Sequence, residues 1–163
     1  MNVVGIIPAR MGSSRYPGKP MEKIHGMPMI GHCYHRTALS LGIDHTYVAT
    51  CDIEIYEYIL SIEGKAIMTA DTHTRATSRT AEALEKIEDQ TGKKIDIVVM
   101  VQGDEPLIQP NTIGEIIPYF QDQKVNIVNI MSLLLTKEAF ENENKVKVVV
   151  DNNNNALYYS REP

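Results

Sequence analysis

Apolar residues in this chain fall into short unbroken runs. Longer stretches separate them, in which apolar positions recur every third or fourth residue. Val3 to Ala9 is the first run and reads as a buried strand. Thr46–Thr50 and Lys65–Thr69 are further short strands, and Ile95–Val101 is the most apolar of all. The intervening stretches have helical spacing. Met27–Leu41 places Met29, Ile30, Cys33, Tyr34 and Leu41 near one period, with Gly42 as a stop. Ile53–Ile62 is a second helix, ended by Gly64, and Ser78–Gln90 is a third, with Ala81, Leu84 and Ile87 on one face. Asn111–Phe120 predicts a fourth helix and Val125–Leu135 a stretch that is mostly strand.

Alternation of strands with helices predicts an α/β fold: a Rossmann-like, mostly parallel sheet with helices on both faces. The ending departs from this. Lys145–Asp151 and Ala156–Ser160 flank the polar run Asn152–Asn155 and predict an antiparallel hairpin. We expect one domain over residues 1–163. The chain stops at Arg161-Glu162-Pro163, directly after a strand, so a further C-terminal portion is also expected.

Composition narrows the function classes. The chain has 163 residues, 43% of them hydrophobic, enough to bury a core. The formal net charge of −5 argues against a nucleic-acid platform. No apolar run is long enough to cross a membrane, and Met1–Pro8 lacks the pattern of a signal peptide. Two cysteines make no disulfide framework, so the expectation is a cytoplasmic protein with reduced thiols. An acidic chain that handles an anion must concentrate its positive charge locally.

Such a concentration follows the first strand. Arg10, Arg15 and Lys19 lie among Gly12, Ser13, Ser14 and Gly18. Glycine lets backbone N–H groups approach a phosphate, and the cations supply charge-assisted bonds. Lys19 is followed by Pro20, so this is not a Walker loop. A solvated surface loop is the alternative. A second candidate lies at the end of the most apolar strand, Gln102-Gly103-Asp104-Glu105-Pro106. Asp104 there suits Mg²⁺, which binds through one or two carboxylates plus substrate phosphates. The alternative is a turn in which Asp104 caps the next segment. Three weaker signals remain. His32, Cys33 and His35 cluster, but no second ligand pair has zinc spacing, and Cys33 reads as a small buried hydrophobe. Lys137–Lys147 mixes both signs and reads as solvated surface. No Gly-x-Ser-x-Gly hydrolase signature is present.

Ile7-Pro8-Ala9-Arg10, Ser14-Arg15 and Pro17-Gly18-Lys19-Pro20 together resemble the first signature of the sugar-acid cytidylyltransferases. Gln102–Pro106 is similar to their second. Val146–Val149 with Ala156–Arg161 resembles their C-terminal hairpin. The resemblance covers essentially the whole chain and is strongest to the branch acting on 3-deoxy-manno-octulosonate (Kdo). It implies the nucleotide-diphospho-sugar transferase fold and CMP transfer from CTP to a sugar acid, with release of pyrophosphate, for cell-envelope polysaccharide. A nonulosonate-type substrate, or a catalytically silent nucleotide-binding fragment, is the alternative. It further implies that Arg10, Arg15 and Lys19 hold the triphosphate and that Pro8 and Ala9 lie near the nucleotide. Asp104 would bind Mg²⁺, Gln102 would contact the sugar, and Arg161 would pair with its carboxylate.

The family motif after the third strand, H-x-S-G-T-x-R, is matched by His73, Thr77 and Arg79, whereas Arg75-Ala76 replaces Ser-Gly. Arg75 is then either an added substrate contact or a solvated charge. Family members also continue past this hairpin, with a second metal-binding aspartate, further sugar contacts and much of a homodimer surface.

Overall fold

A computed structural model describes residues 1–12 and 16–163. These divide into two compact units, Met1–Asn126 and Ile127–Pro163.

The first unit is built on a parallel sheet of β1 (Val3–Pro8), β4 (His45–Thr50), β5 (Lys65–Met68) and β6 (Ile97–Met100), in the order β5-β4-β1-β6. Strand β1 is central, so every one of its residues is buried. Alternate side chains point to opposite faces and feed two cores. Val3 and Ile7 join Ile30 of α1 (Met29–Ala38), Ile55 and Ile59 of α2 (Ile53–Ser61), and Ile113 of α4 (Pro110–Ile116). Val4 and Ile6 join Ala83 and Ile87 of α3 (Ala76–Thr91) on the other face. Gly5 makes the closest helix approach possible. A Cβ there would stand 2.7 Å from Thr37 Cγ2.

The predicted first helix starts two residues late. Met27 and Pro28 instead form β3, which pairs antiparallel with β2 (Lys23–Ile24). The two residues between them, His25 and Gly26, both have positive φ (49° and 86°), as a tight hairpin turn of this twist requires. The predicted fourth helix divides into α4 and a 3₁₀ turn, Ile117–Gln121.

The second unit contains α5 (Lys137–Glu141) and the hairpin of β7 (Lys147–Val150) and β8 (Ala156–Ser160). Two expectations are corrected here. Val125–Leu135 forms no strand: apolar content alone does not make one without a ladder partner, and the strands of this unit pair with each other. Lys137–Lys147 is not uniformly solvated. Thr136 Oγ1 accepts the Ala139 N–H at 3.1 Å and starts α5, and Lys147 is buried. The Lys147 ammonium donates to the carbonyls of Asn142 and Arg161, which removes the cost of burying it.

No helix among the described residues is long and apolar enough to cross a membrane.

Candidate functional site

The strand order creates the site. The chain leaves β1 toward β4 on one side, then returns through α3 to β6 on the other. The loops after β1 and β6 therefore diverge, and a crevice opens beyond their carboxyl ends. A cleft of about 340 Å³ occupies that crevice. It takes residues from three segments: the loop after β1, the loop after β6, and the loop from β5 into α3.

The first segment continues the sheet by one bond, Ala9 N–H to Ala49 O at 2.9 Å, which puts Pro8 and Ala9 on the cleft floor. It is then pinned from outside, because the Met11 N–H donates to Asp52 Oδ2 at 2.8 Å. The Gly18 N–H closes the loop onto Met11 O at 3.0 Å. Gly18 has φ 76°, a left-handed conformation that suits glycine, and starts the short 3₁₀ turn Lys19–Met21. Arg10 and Lys19 both line the cleft. Arg15 lies outside the described residues.

The second segment brings Gln102, Gly103 and Asp104 to the same cleft. Gly103 packs against β1 so tightly that a Cβ would meet Pro8 O at 2.8 Å. Asp104 Oδ2 receives the Lys19 ammonium at 2.9 Å. The carboxylate thus meets a cation 85 positions away, while the turn itself is closed by the Glu105 N–H donating to Gln102 O at 3.2 Å. The pair is about half exposed, so its intrinsic contribution to stability is small. Its interest is that it joins the basic loop to the acidic strand end.

The third segment contributes His73, Arg75 and Arg79. Arg75 is the N-cap residue of α3 and is exposed along the cleft. Arg79 is 3% exposed. Its Nη1 donates to Thr69 Oγ1 and to Ala70 O, while its Nη2 is buried with no partner. A buried guanidinium nitrogen without an acceptor is costly, and an acceptor atom on a bound ligand would remove that cost. The first turn of α3 holds no acidic residue, so its positive end stays uncompensated beside Ala76 in the cleft wall. Thr77 is exposed in that turn and is not among the cleft residues.

Two carboxylates that sequence reasoning missed support this site. Asp52, at the end of β4, anchors the basic loop through Met11. Glu82 gathers the β5–α3 loop. The Lys86 ammonium, the His73 ring and the Ala70 N–H hold its carboxyl down at about 2. Any stability from that shift is present above the ordinary carboxylate range and is lost as pH falls through about 2. The available signal was an aspartate at the N-cap of α2 and, for Glu82, its i,i+4 spacing to Lys86. Cys33 has no part in the chemistry, since burial pushes its thiol up to about 11 and keeps it neutral.

Arg161 belongs to the second unit, where its guanidinium donates to the carbonyls of Glu143 (3.2 Å) and Asn144 (3.0 Å). No group of three or more His, Cys, Asp or Glu side chains gathers as a metal cage among the described residues. Asp104 alone, beside four cations in the cleft, fits a hard divalent ion that keeps its waters and takes most of its other ligands from phosphate.

Cations at the carboxyl edge of a parallel sheet, with one acidic side chain among them, are the arrangement expected of α/β domains that bind phosphorylated ligands. The family is set by comparison with known proteins. A family profile for cytidylyltransferases matches residues 4–163, and the chain belongs to that family. It is 41% identical over its whole length to a 3-deoxy-manno-octulosonate cytidylyltransferase of Thermodesulfovibrio yellowstonii, covering 65% of that protein. It is 42% identical to the enzyme of that name in Fusobacterium nucleatum, over 99% of this chain and 64% of the relative. An 8-amino-3,8-dideoxy-manno-octulosonate cytidylyltransferase of Shewanella putrefaciens is 40% identical, with 99% of this chain and 65% of the relative covered.

Among solved structures, a CMP:2-keto-3-deoxy-manno-octonic acid synthetase complexed with CTP superposes with a TM-score of 0.82 at 34% identity. That match covers 99% of this chain and 65% of the other. The chain thus spans a little under two thirds of the length of the relatives it matches.

Proposed function

We propose that this protein serves CMP transfer from CTP to the anomeric hydroxyl of a 3-deoxy-octulosonate sugar acid, with release of pyrophosphate. The observation that carries the reading is the Lys19–Asp104 pair, 2.9 Å apart, at the switch point of the sheet. A cation and a carboxylate side by side there suit a triphosphate and its metal ion.

In the proposed reaction the anomeric oxygen attacks the α-phosphorus. The bond from that phosphorus to the bridging oxygen breaks, and pyrophosphate leaves with the electron pair. Arg10 and Lys19 hold the triphosphate and offset the charge that develops on it. Arg15 and Arg161 keep the roles that the family resemblance implies, on triphosphate and sugar carboxylate. Arg79 offers its unpartnered Nη2 to an acceptor on the nucleotide, and Gln102 faces the sugar. Pro8 and Ala9 floor the nucleotide site and His73 and Arg75 belong to its wall as substrate contacts, while Thr77, outside the cleft lining, keeps only the substrate-binding role that the family resemblance implies. Asp104 would hold Mg²⁺, which would neutralise phosphate charge and acidify the attacking hydroxyl. By the same family reading the reaction runs in the cytoplasm, supplies cell-envelope polysaccharide and uses a homodimer.

The relatives' names favour two sugar acids, Kdo and its 8-amino counterpart. The test is pyrophosphate release with CTP and Mg²⁺ against Kdo, 8-amino-Kdo and a nonulosonate, on this chain and on one extended to the length of its relatives. Release with an octulosonate supports the proposal. Release with the nonulosonate alone reassigns the sugar. CTP binding without release from any acid, in both lengths, leaves a silent nucleotide-binding module.

Lys19→Ala should weaken CTP binding by roughly ten-fold, because one charge-assisted phosphate bond is lost. Calorimetry reads this directly, and unchanged affinity removes Lys19 from the triphosphate site.

A further inference from the structure

The loop between β5 and α3 forms one wall of the cleft, and beyond Thr69, whose N–H still donates to Thr50 O at 2.8 Å, it has no ladder or helix to hold its shape. Side chains of α3 hold it instead, and Glu82 makes most of the bonds. Its two oxygens accept the Ala70 N–H at 3.1 and 3.0 Å. It also takes His73 Nε2 and the Lys86 ammonium, the latter at 2.7 Å. Lys86 donates in turn to Met68 O at 2.8 Å, which ties the last residue of β5 into the same cluster.

Arg79, one turn earlier on α3, grips the loop from the other side. Its Nη1 donates to Ala70 O, so the Ala70 residue is held at its N–H by Glu82 and at its carbonyl by Arg79. The other nitrogen of His73 meets Ser78 Oγ at 3.1 Å, and that hydroxyl donates to the Arg75 carbonyl at 3.0 Å. A single carboxylate is therefore linked directly to His73, through Ala70 to Arg79, and through His73 and Ser78 to Arg75. All three line the cleft, and Glu82 does not.

We infer that Glu82 is a positioning residue of the nucleotide site: it sets the placement of His73, Arg75 and Arg79 by holding the Ala70 N–H and the His73 ring. The inference rests on the cleft being where CTP binds. Its physical basis is the rigidity of the arginine fork. A guanidinium presents donors in a fixed plane, so a small shift of the loop that anchors Nη1 re-aims the unpartnered Nη2 away from an acceptor on the bound nucleotide. A displacement of about 1 Å at a reacting or binding group is enough to cost orders of magnitude in function. Glutamine replaces glutamate here only in part. Its single acceptor oxygen cannot serve Ala70, His73 and Lys86 together, and its NH2 group can meet His73 only where Nε2 is the unprotonated ring nitrogen.

The same helix carries a natural control. Glu88 makes the same kinds of bond at the far end of α3, to the Lys94 ammonium at 2.6 Å and the Ile95 N–H at 2.9 Å. It ties helix to chain as Glu82 does, but away from the cleft. A purely structural role for Glu82 predicts equal consequences for the two residues.

The experiment is calorimetric titration with CTP and Mg²⁺ of the wild-type chain, Glu82→Gln, Glu82→Ala and Glu88→Ala, with a thermal melt of each. Hydrogen exchange at the Ala70 amide is read in parallel. We expect Glu82→Ala to lose roughly ten-fold or more in CTP affinity, and Glu82→Gln to lose several-fold while staying folded. Exchange at Ala70 should accelerate in both. Glu88→Ala should lower the melting temperature but hold affinity within about two-fold of wild type. Wild-type affinity in Glu82→Gln overturns the inference while the nucleotide reading stands. So does an equal loss in Glu88→Ala, which would mark a general effect on α3. If the wild-type chain binds no CTP, the nucleotide reading falls and the inference falls with it.

Discussion

Asp104→Asn is expected to remove the Mg²⁺-dependent part of CTP affinity and to cut pyrophosphate release by roughly 10²–10³-fold, with the fold intact. The side chain is about half exposed and bonds to Lys19 rather than to the core, so an isosteric amide leaves packing unchanged. What changes is charge. The neutral amide no longer offsets a divalent ion, and no other carboxylate stands ready among the cleft residues. Lys19 also loses its anionic partner, keeping at most a neutral amide oxygen, and its charge is left to phosphate. CTP affinity measured without metal should therefore hold or rise, while the increment on adding Mg²⁺ disappears. Titrations with and without Mg²⁺ separate these two effects. An Asn variant that keeps the full Mg²⁺ increment and the wild-type rate would take the metal away from Asp104.

How much of this was readable beforehand depends on which kind of interaction fixes each part. The four sheet strands were legible because each is a short run with buried apolar residues, from the wholly buried β1 to the edge strand β5, which buries only Ile67, a pattern set by local composition. Their carboxyl ends were legible for the same reason, and with them the meeting of Arg10 and Lys19 with Asp104. Val125–Leu135 was misread because a strand also needs a partner, and partners are chosen by tertiary structure. The burial of Lys147 was equally invisible, since it depends on two carbonyls brought together only when the hairpin closes. Asp52 and Glu82 were missed on similar grounds. Each looks like an ordinary acidic residue in or beside a helix, and each acts on a loop that its own segment does not contain. The departure at Arg75-Ala76 was visible as a departure. Sequence left Arg75 as either a substrate contact or a solvated charge, and the structure puts it on the cleft wall at the uncompensated end of α3.

The dependence of the site on backbone placement leads to the other large effect, in Gly103→Ala. This change adds one methyl group and removes no functional atom. The new Cβ would stand 2.8 Å from Pro8 O, with Ala9 Cβ at 3.4 Å and Ile30 Cδ1 at 3.5 Å. Relief at the first contact is hard to find. Pro8 is the buried last residue of the central strand and stays in register with Ala49 of β4, so its carbonyl cannot retreat cheaply. The segment that yields must be the one bearing the methyl, and it carries Gln102 and Asp104 with it. A shift of even a few tenths of an ångström to 1 Å would part Asp104 from Lys19 and misplace any metal held there. The expected result is a loss of pyrophosphate release of about 10²-fold, with a lowered melting temperature and an otherwise native circular dichroism spectrum. Overpacking would also reach the nucleotide floor, since Pro8 and Ala9 share it, so CTP affinity should fall together with the rate. Wild-type rate and affinity in this variant would mean that β1 and the end of β6 can separate freely. The contact between those two strand ends could then not be what holds the two halves of the site in register.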